Sequence, residues 1–294
     1  MTRKRATIGI AVPAWRATAF IAETLRSALD QKNVDIRIQV GVDGGDAATA
    51  DRCDAFQDSR IAVRIRPDRL GWVGNSNATL YEAARSGVDY ATILPHDDLI
   101  APDYCARLVA EIEEHPGTAV AYSDILGFGE STIRMEQPSA LGSRIERLEW
   151  LLRHQMIAIA YRGIMPAEIA LQSLPIPANA ADDYAADTAW MVRQIAQGEF
   201  RRVPDALYLK RYHADNTHSR WQTWNRGKRF EAFLVHCRAC FEEAVAFAET
   251  ANDRGRIVQA SMARLDHMRP LFGALGHAEQ MQRAELENMM LDAL

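Results

Sequence analysis

Cysteine is scarce, with 4 in 294 residues. That excludes a disulfide-stapled scaffold and suits a reducing cytoplasm. Long apolar runs are missing as well, and no stretch reaches the ~18–20 residues of a membrane-spanning helix. The basic start, Arg3-Lys4-Arg5, precedes the apolar run 8–12, but Pro13 ends that run too soon for a signal peptide. There is no excess of positive charge: 34 Lys and Arg face 39 Asp and Glu, for a net charge of −5. A general nucleic-acid binder would be basic, so no nucleic-acid partner is expected. Glycine is missing from the turn after the first apolar run, which reads Pro13-Ala14-Trp15-Arg16. A dinucleotide-binding domain needs its Gly-x-Gly-x-x-Gly there, which argues against NAD chemistry; a Walker A loop is absent too. Cys237 and Cys240 form a lone CxxC behind His236. Without a second ligand pair it reads as two cysteines on a helix face rather than a zinc site.

What is present is ordinary globular composition, 48% hydrophobic and 25% charged. A chain of this length can bury a core without metals or disulfides. Apolar or alternating runs at 8–12, 36–42, 61–65, 90–94 and 118–122 read as strands. Helical spacing separates them, for example Ile21, Leu25, Ala28 and Leu29. This β-α alternation predicts an α/β fold with a mostly parallel sheet flanked by helices. Ligands in such sheets bind at the carboxyl ends of the strands. Asp43 and the pair Asp97-Asp98 follow strand ends, so they are expected to share one edge. Adjacent carboxylates repel unless a cation offsets them, and magnesium or manganese suits hard oxygen ligands. A solvated helix N-terminus is the plainer account of such a pair.

The order of motifs resembles the inverting family 2 glycosyltransferases of the GT-A fold, over about residues 6–220. The run 8–15 is similar to that family's opening strand and "PAYN" turn, and 20–31 to its first helix. Val42-Asp43-Gly44-Gly45 matches "DDGS", Gly71 and Asn77 match "G…ARN", and Asp97-Asp98 match the end of "DxDD". Asp187, Trp190, Arg193 and Gly198 fit "ED…W…R…G", and Lys210-Arg211-Tyr212-His213 resembles "YRRH". Val42, Pro95 and Ala186 stand where the family has acids.

The resemblance implies a metal-assisted, inverting transfer from a nucleotide-diphosphate sugar (UDP-, GDP- or dTDP-linked). The acceptor would be a hydroxyl of a glycan or lipid-linked glycan. By this resemblance Asp187 is the catalytic base, with Asp183 as runner-up. Pro13, Ala14, Asp43, Gly71, Asn77, Asp97, Lys210 and Arg211 would bind the nucleotide sugar. Asp98 and His213 would hold manganese or magnesium. The plain account of Asp187 is a helix N-cap, with the helix running over 188–197. Alternatives are a sugar nucleotidyltransferase, whose Gly-rich basic loop is absent, and a catalytically degenerate nucleotide-sugar binder or scaffold.

The expected domains are a glycosyltransferase domain at 1–220 and a helical extension at 221–294. The first divides into a nucleotide-sugar half, 1–124, and an acceptor half, 125–220. In the second half a helix is expected over 144–155 and a strand over 157–164. Trp221 and Trp224, among Arg220, Arg226, Lys228 and Arg229, suit either sugar stacking or helix packing, with packing preferred. Val258, Met262 and Leu265 share a helix face, as do Leu286, Met289, Met290 and Ala293. Such faces are core or homodimer contacts. The expected location is cytoplasmic, at most in peripheral contact with the inner face of a membrane.

Overall fold

The computed structural model describes residues 5–154, 158–214, 216–267 and 271–294. The chain forms two compact units interleaved in sequence rather than divided at one position. The first comprises Met1–Ser139, Ile159–Ile176 and Phe200–His213; the second comprises Ala140–Ala158, Pro177–Glu199 and Ala214–Leu294.

The first unit is built on β1 (Thr7–Ala14), β2 (Asp35–Val42), β3 (Ile61–Ile65) and β4 (Tyr90–Ile93). These pair in parallel in the order β3-β2-β1-β4, and a short antiparallel strand, Met165–Pro166, adds to β4. Central β1 is apolar on both faces because both are covered: Ile8, Ile10, Ala11 and Val12 are fully buried. Edge strand β3 shows the opposite, with exposed positions along its length. Helices α1 (Ile21–Leu29), α2 (Ala47–Asp54), α3 (Gly71–Ala84) and α4 (Tyr104–Glu114) follow the strands. Their buried stripes, such as Ile21, Leu25 and Ala28 of α1, face the sheet layer.

A second sheet joins β5 (Leu99–Ile100), β9 (Glu199–Tyr212), β6 (Thr118–Gly129) and β7 (Arg134–Met135), in that order. Two expectations change here. The run 118–122 is a strand, but it opens β6 of this second sheet instead of closing the parallel one. Periodicity marks a strand without saying which neighbour it joins. The expected strand over 157–164 is a 3-10 turn at Ala160–Arg162 followed by a single bridge from Ile164 to Ala121. Ile159, Ala160, Tyr161 and Ile164 are apolar because they are buried, not because they are extended. Gln155 and Ile157 lie outside the described residues.

The second unit is helical: α5 (Arg144–Arg153), α7 (Ala186–Gln197), α8 (Thr217–Gln222), α9 (Arg226–Val245), α10 (Ala251–Asp266) and α11 (His277–Leu291). Its core includes Leu148, Leu151, Trp190, Ile195, Phe230, Ile257 and Leu265. The buried Arg147 guanidinium caps α7 by donating to the Ile195 carbonyl at 2.9 Å. Cys237 and Cys240 are buried on α9, and all four cysteines are free thiols. Trp221 and Trp224 pack around Tyr184, at centroid separations of 5.0 and 6.1 Å. Pro270, expected to break this region, lies outside the described residues.

One close approach supports the site edge. A Cβ on Gly41, near the end of β2, would lie 2.0 Å from Thr79 Oγ1 and 2.7 Å from Asn75 Oδ1 of α3. Asn75 is itself tied to the Gly41 carbonyl at 2.8 Å and cannot swing away freely. Gly41→Ala should therefore cost about 1–3 kcal/mol by overpacking. The urea midpoint measures it, and an unshifted midpoint would mean that α3 yields without cost.

Candidate functional site

The strand order reverses about β1, so the carboxyl ends of β1 and β4 diverge and leave a crevice. Three segments of the first unit meet that edge: the turn after Ala14, the turn at Asp43–Gly45, and residues 94–98 after β4. Left-handed Gly44 and Gly45, with φ of 65° and 67°, let the second turn fold back tightly.

The two adjacent acids have different surroundings. Asp98 is 2% exposed. Its Oδ1 accepts the Arg211 backbone N–H at 2.8 Å. Its Oδ2 accepts the Tyr208 hydroxyl at 2.8 Å and faces Arg162 Nε at 3.4 Å. Burial pushes the Asp98 carboxyl up, against the pull of Arg162. Asp97 is the less buried of the two, its side chain 14% exposed, with its Oδ2 2.9 Å from His213 Nε2. Burial works against its charge too, but His96 and the His213 bond hold its carboxyl below the usual range. Asp98, given to the metal by the resemblance, here meets three protein donors. Asp97 is the carboxylate beside His213.

Arg211 braces the site from within the first unit. Its Nε donates to the Asp97 carbonyl at 2.9 Å and its Nη2 to Glu23 at 2.6 Å. Its guanidinium lies 4.6 Å from the Phe20 ring and 4.4 Å from the Phe128 ring. His213 packs on Phe20 at 4.8 Å. Lys210, one residue earlier, lies over Tyr212 at 4.6 Å and is half-buried.

Asp43 and Asn77 also turn inward. Asp43 is 2% exposed and accepts the backbone N–H groups of Leu70 and Gly71, at 2.7 and 3.0 Å. It thereby fixes the entry to α3 and pairs with Arg69 at 3.2 Å. Asn77 donates to the Ile176 carbonyl at 3.1 Å and accepts its N–H at 2.6 Å. Both Asn77 groups used here serve the backbone of Ile176. Ala14 is buried, and the Pro13 carbonyl meets His96 Nδ1 at 3.2 Å. What faces outward beside these braces is Trp15, 36% exposed, with the Arg69 guanidinium 3.1 Å from its ring centroid and Arg16 at 4.5 Å.

Asp187 belongs to the second unit and is half-buried. It is not the N-cap: α7 begins at Ala186, behind Ala185, and Asp187 sits in the first turn. Its Oδ1 accepts the Thr188 N–H at 2.9 Å. Asp183 accepts the Asn179 N–H at 2.9 Å, and Asp182 pairs with Lys228 at 2.8 Å. Trp190 is fully buried, and Arg193 forks onto Glu243 of α9. Elsewhere, among the described residues, Glu111, Glu114 and His115 converge on α4. Glu111 there also bridges to Arg201 at 3.8 Å, as expected of a surface ion-pair group.

The glycosyl transferase family 2 model matches residues 9–170, more than half of the chain. The chain belongs to glycosyl transferase family 2. No curated protein sequence matches it. Among solved structures it is similar to Staphylococcus aureus TarS 1-349 in complex with UDP-GlcNAc, with a TM-score of 0.69 at 15% identity, covering 99% of this chain and 81% of that one. It is similar also to the mannosyltransferase PcManGT from Pyrobaculum calidifontis in complex with GDP-Man and Mn2+, with a TM-score of 0.54 at 14% identity, covering 98% and 81%. At such identity these likenesses establish the GT-A-like fold. The family match makes this glycosyltransferase an enzyme of that class and removes the nucleotidyltransferase alternative.

Sequence reasoning passed over Trp15, Arg69, His96, Arg162 and Tyr208. Trp15 was visible as an aromatic just past a strand end. Arg162 and Tyr208 carry no local signal, because their partner Asp98 is 64 and 110 residues away.

The two acids of this glycosyltransferase should separate on mutation. Removing one partner of a buried charge cluster typically costs about 3–5 kcal/mol, so Asp98→Ala should lower the unfolding free energy by that order. Asp97→Ala should move it far less. Equal losses in chemical denaturation would contradict the division into a deeper and a shallower acid.

Proposed function

We propose that the enzyme transfers a sugar with inversion from a nucleotide-diphosphate sugar to a hydroxyl of a glycan or lipid-linked glycan. Family membership supports the nucleotide-sugar donor. The observation that carries the finer reading is the Asp97–His213 pair at the carboxyl end of β4, braced by Asp98 and Arg211. A hard carboxylate oxygen and an imidazole nitrogen 2.9 Å apart fit manganese or magnesium. Such ions use one or two protein ligands and complete their shell with water and substrate phosphates. When bound, the cation neutralises charge developing on the departing diphosphate.

The remaining roles fall to the chain's own residues. Trp15 and Arg69 offer an aromatic face and a guanidinium to the nucleotide base, with Asp43 holding the Leu70–Gly71 segment next to Arg69. Lys210, over the Tyr212 ring, adds positive charge on the same strand. Asp187 takes the proton of the acceptor hydroxyl as its oxygen bonds to the anomeric carbon and the diphosphate leaves from the opposite face. The first turn of α7 favours the ionised carboxylate such a base requires. Among the described residues no helix is long and apolar enough to cross a membrane. A cytoplasmic enzyme meeting a lipid-linked acceptor at the membrane face is in keeping with that.

A thermal-shift series with UDP-GlcNAc, GDP-mannose and a dTDP-sugar, with and without manganese, tests the donor site. A ligand at a hundred times its Kd stabilises the folded state by about 2.7 kcal/mol. Manganese should enlarge the shift for the preferred donor, and Asp97→Ala or His213→Ala should abolish that enlargement. A manganese effect that survives both substitutions would move the metal elsewhere.

Asp187→Asn should keep the donor shift and lower turnover by about 10²–10⁴-fold, the usual size of a lost general base. If Asp183→Asn does this instead, the base is Asp183. Donor binding with no turnover in the unaltered enzyme would favour the degenerate binder.

A further inference from the structure

The turn that presents Asp187 is unusual. Asp182, Asp183 and Ala185 all have left-handed backbones, with φ of 51°, 56° and 50°. Each costs a non-glycine residue about 1–2 kcal/mol, and α7 has no side-chain N-cap to offset it. Ties from elsewhere in the second unit must hold the turn.

The deepest tie starts at the one sequence motif that the reaction leaves unused, His236-Cys237-Arg238-Ala239-Cys240. His236, on α9, is 3% exposed, and Arg264, on α10, is 7% exposed. Arg264 Nη2 lies 3.0 Å from His236 Nε2. A guanidinium can only donate, so Nε2 is the acceptor and carries no proton. The ring proton therefore sits on Nδ1, 3.2 Å from Thr188 Oγ1, which is 3.4 Å from Nε2. The ring also hydrogen-bonds the Ala185 backbone. Thr188 Oγ1 in turn donates to the Ala185 carbonyl at 2.7 Å. The Thr188 N–H serves both the Ala185 carbonyl, at 3.1 Å, and Asp187 Oδ1, at 2.9 Å.

We propose that His236 is a positioning residue, which through the one-way chain Arg264, His236, Thr188 fixes the turn at Ala185 and so the aim of the Asp187 carboxylate. This rests on Asp187 being the base. The ring is enclosed by Cys240 Sγ at 3.7 Å and by Tyr184 edge-on at 6.3 Å, with Cys237 bonded to Arg264. Burial, and then the Arg264 charge, hold the imidazole well below its ordinary range. The chain therefore keeps one direction at neutral pH. A zinc reading of the motif fails on the same geometry, because a cation already occupies the Nε2 lone pair.

Release of nucleoside diphosphate with manganese and water as acceptor gives the assay, using UDP-GlcNAc or GDP-mannose, whichever the unaltered enzyme cleaves faster. His236→Leu and Thr188→Val should each lower kcat about 10–100-fold, the scale of a small misplacement of a reacting group, with donor KM unchanged. Thr188→Ser keeps the hydroxyl and should stay within about threefold of the unaltered enzyme. Placed on Asp187→Asn, neither His236→Leu nor Thr188→Val should lower the residual rate further, because both act through that carboxylate. A full additional loss in that background overturns the proposal, as does unaltered kcat in Thr188→Val and His236→Leu. If His236→Leu does not fold, the Thr188→Val and Thr188→Ser pair decides by the same criteria. Should Asp187→Asn itself keep full turnover, the assignment of the base falls, a result distinct from failure of the positioning chain alone.

Discussion

An anion buried between two distant segments organises the nucleotide side of this enzyme. Moving the Asp98 carboxylate out of water costs several kcal/mol unless donors meet it. Tyr208, Arg162 and the Arg211 N–H meet it, and two of these three come from β9, 110 and 113 residues away. The bond does more than stabilise. It fixes the register of the loop after β4 against β9, so the next groups paired across the two segments are Asp97 and His213. Arg211, held between Phe20 and Phe128, locks the same register from the other side. The Asp97–His213 pair is thus set at folding, before any ligand arrives.

The same division of labour recurs along the edge. Asp43 and Asn77 spend their polar atoms on backbone groups of the 70–71 and 176 segments, and the exposed neighbours Trp15 and Arg69 face the crevice. It also explains why two departures from the family pattern are tolerated. Val42 and Ala186 stand where acids were expected, and both are fully buried. A carboxylate at either position would need buried partners of its own, which an apolar residue does not. Only Pro95, which is half-buried, thins the edge itself.

Much of the fold was legible because its signals are local. The periods of β1, β2, β3 and β4 and their helices follow from burial on one face or two, and the β-α rhythm yielded the parallel sheet. The run 118–122 was recognisable as a strand, but its sheet depends on which distant strand claims its edge. Residues 157–164 misled because burial of a turn leaves the same apolar composition as a strand. In the site, the motifs mark the strand ends where Asp43, Asp97 and Asp98 sit, yet which of two adjacent aspartates is the more deeply held depends on Tyr208 and Arg162, and nothing near Asp98 announces them. Likewise the helix start at Asp187 was off by the left-handed Ala185, a conformation no local residue preference favours.

If Asp97 and His213 hold the proposed metal, then with Pro95 in place of the first acid the protein offers a divalent cation one carboxylate and one imidazole. A six-coordinate ion must take its other ligands from water or from the donor's phosphates. Affinity for the ion alone is then low, and most of it appears only when the diphosphate is present. Linkage makes this reciprocal: the factor by which the nucleotide sugar tightens the cation is the factor by which the cation tightens the nucleotide sugar. Before either binds, Asp97 and His213 bond to each other, which keeps both side chains ordered and lowers the entropic cost of capture. On that proposal, a thin, prearranged pair of ligands would make cation and donor bind as a couple, and discharge of the diphosphate would weaken the hold on both.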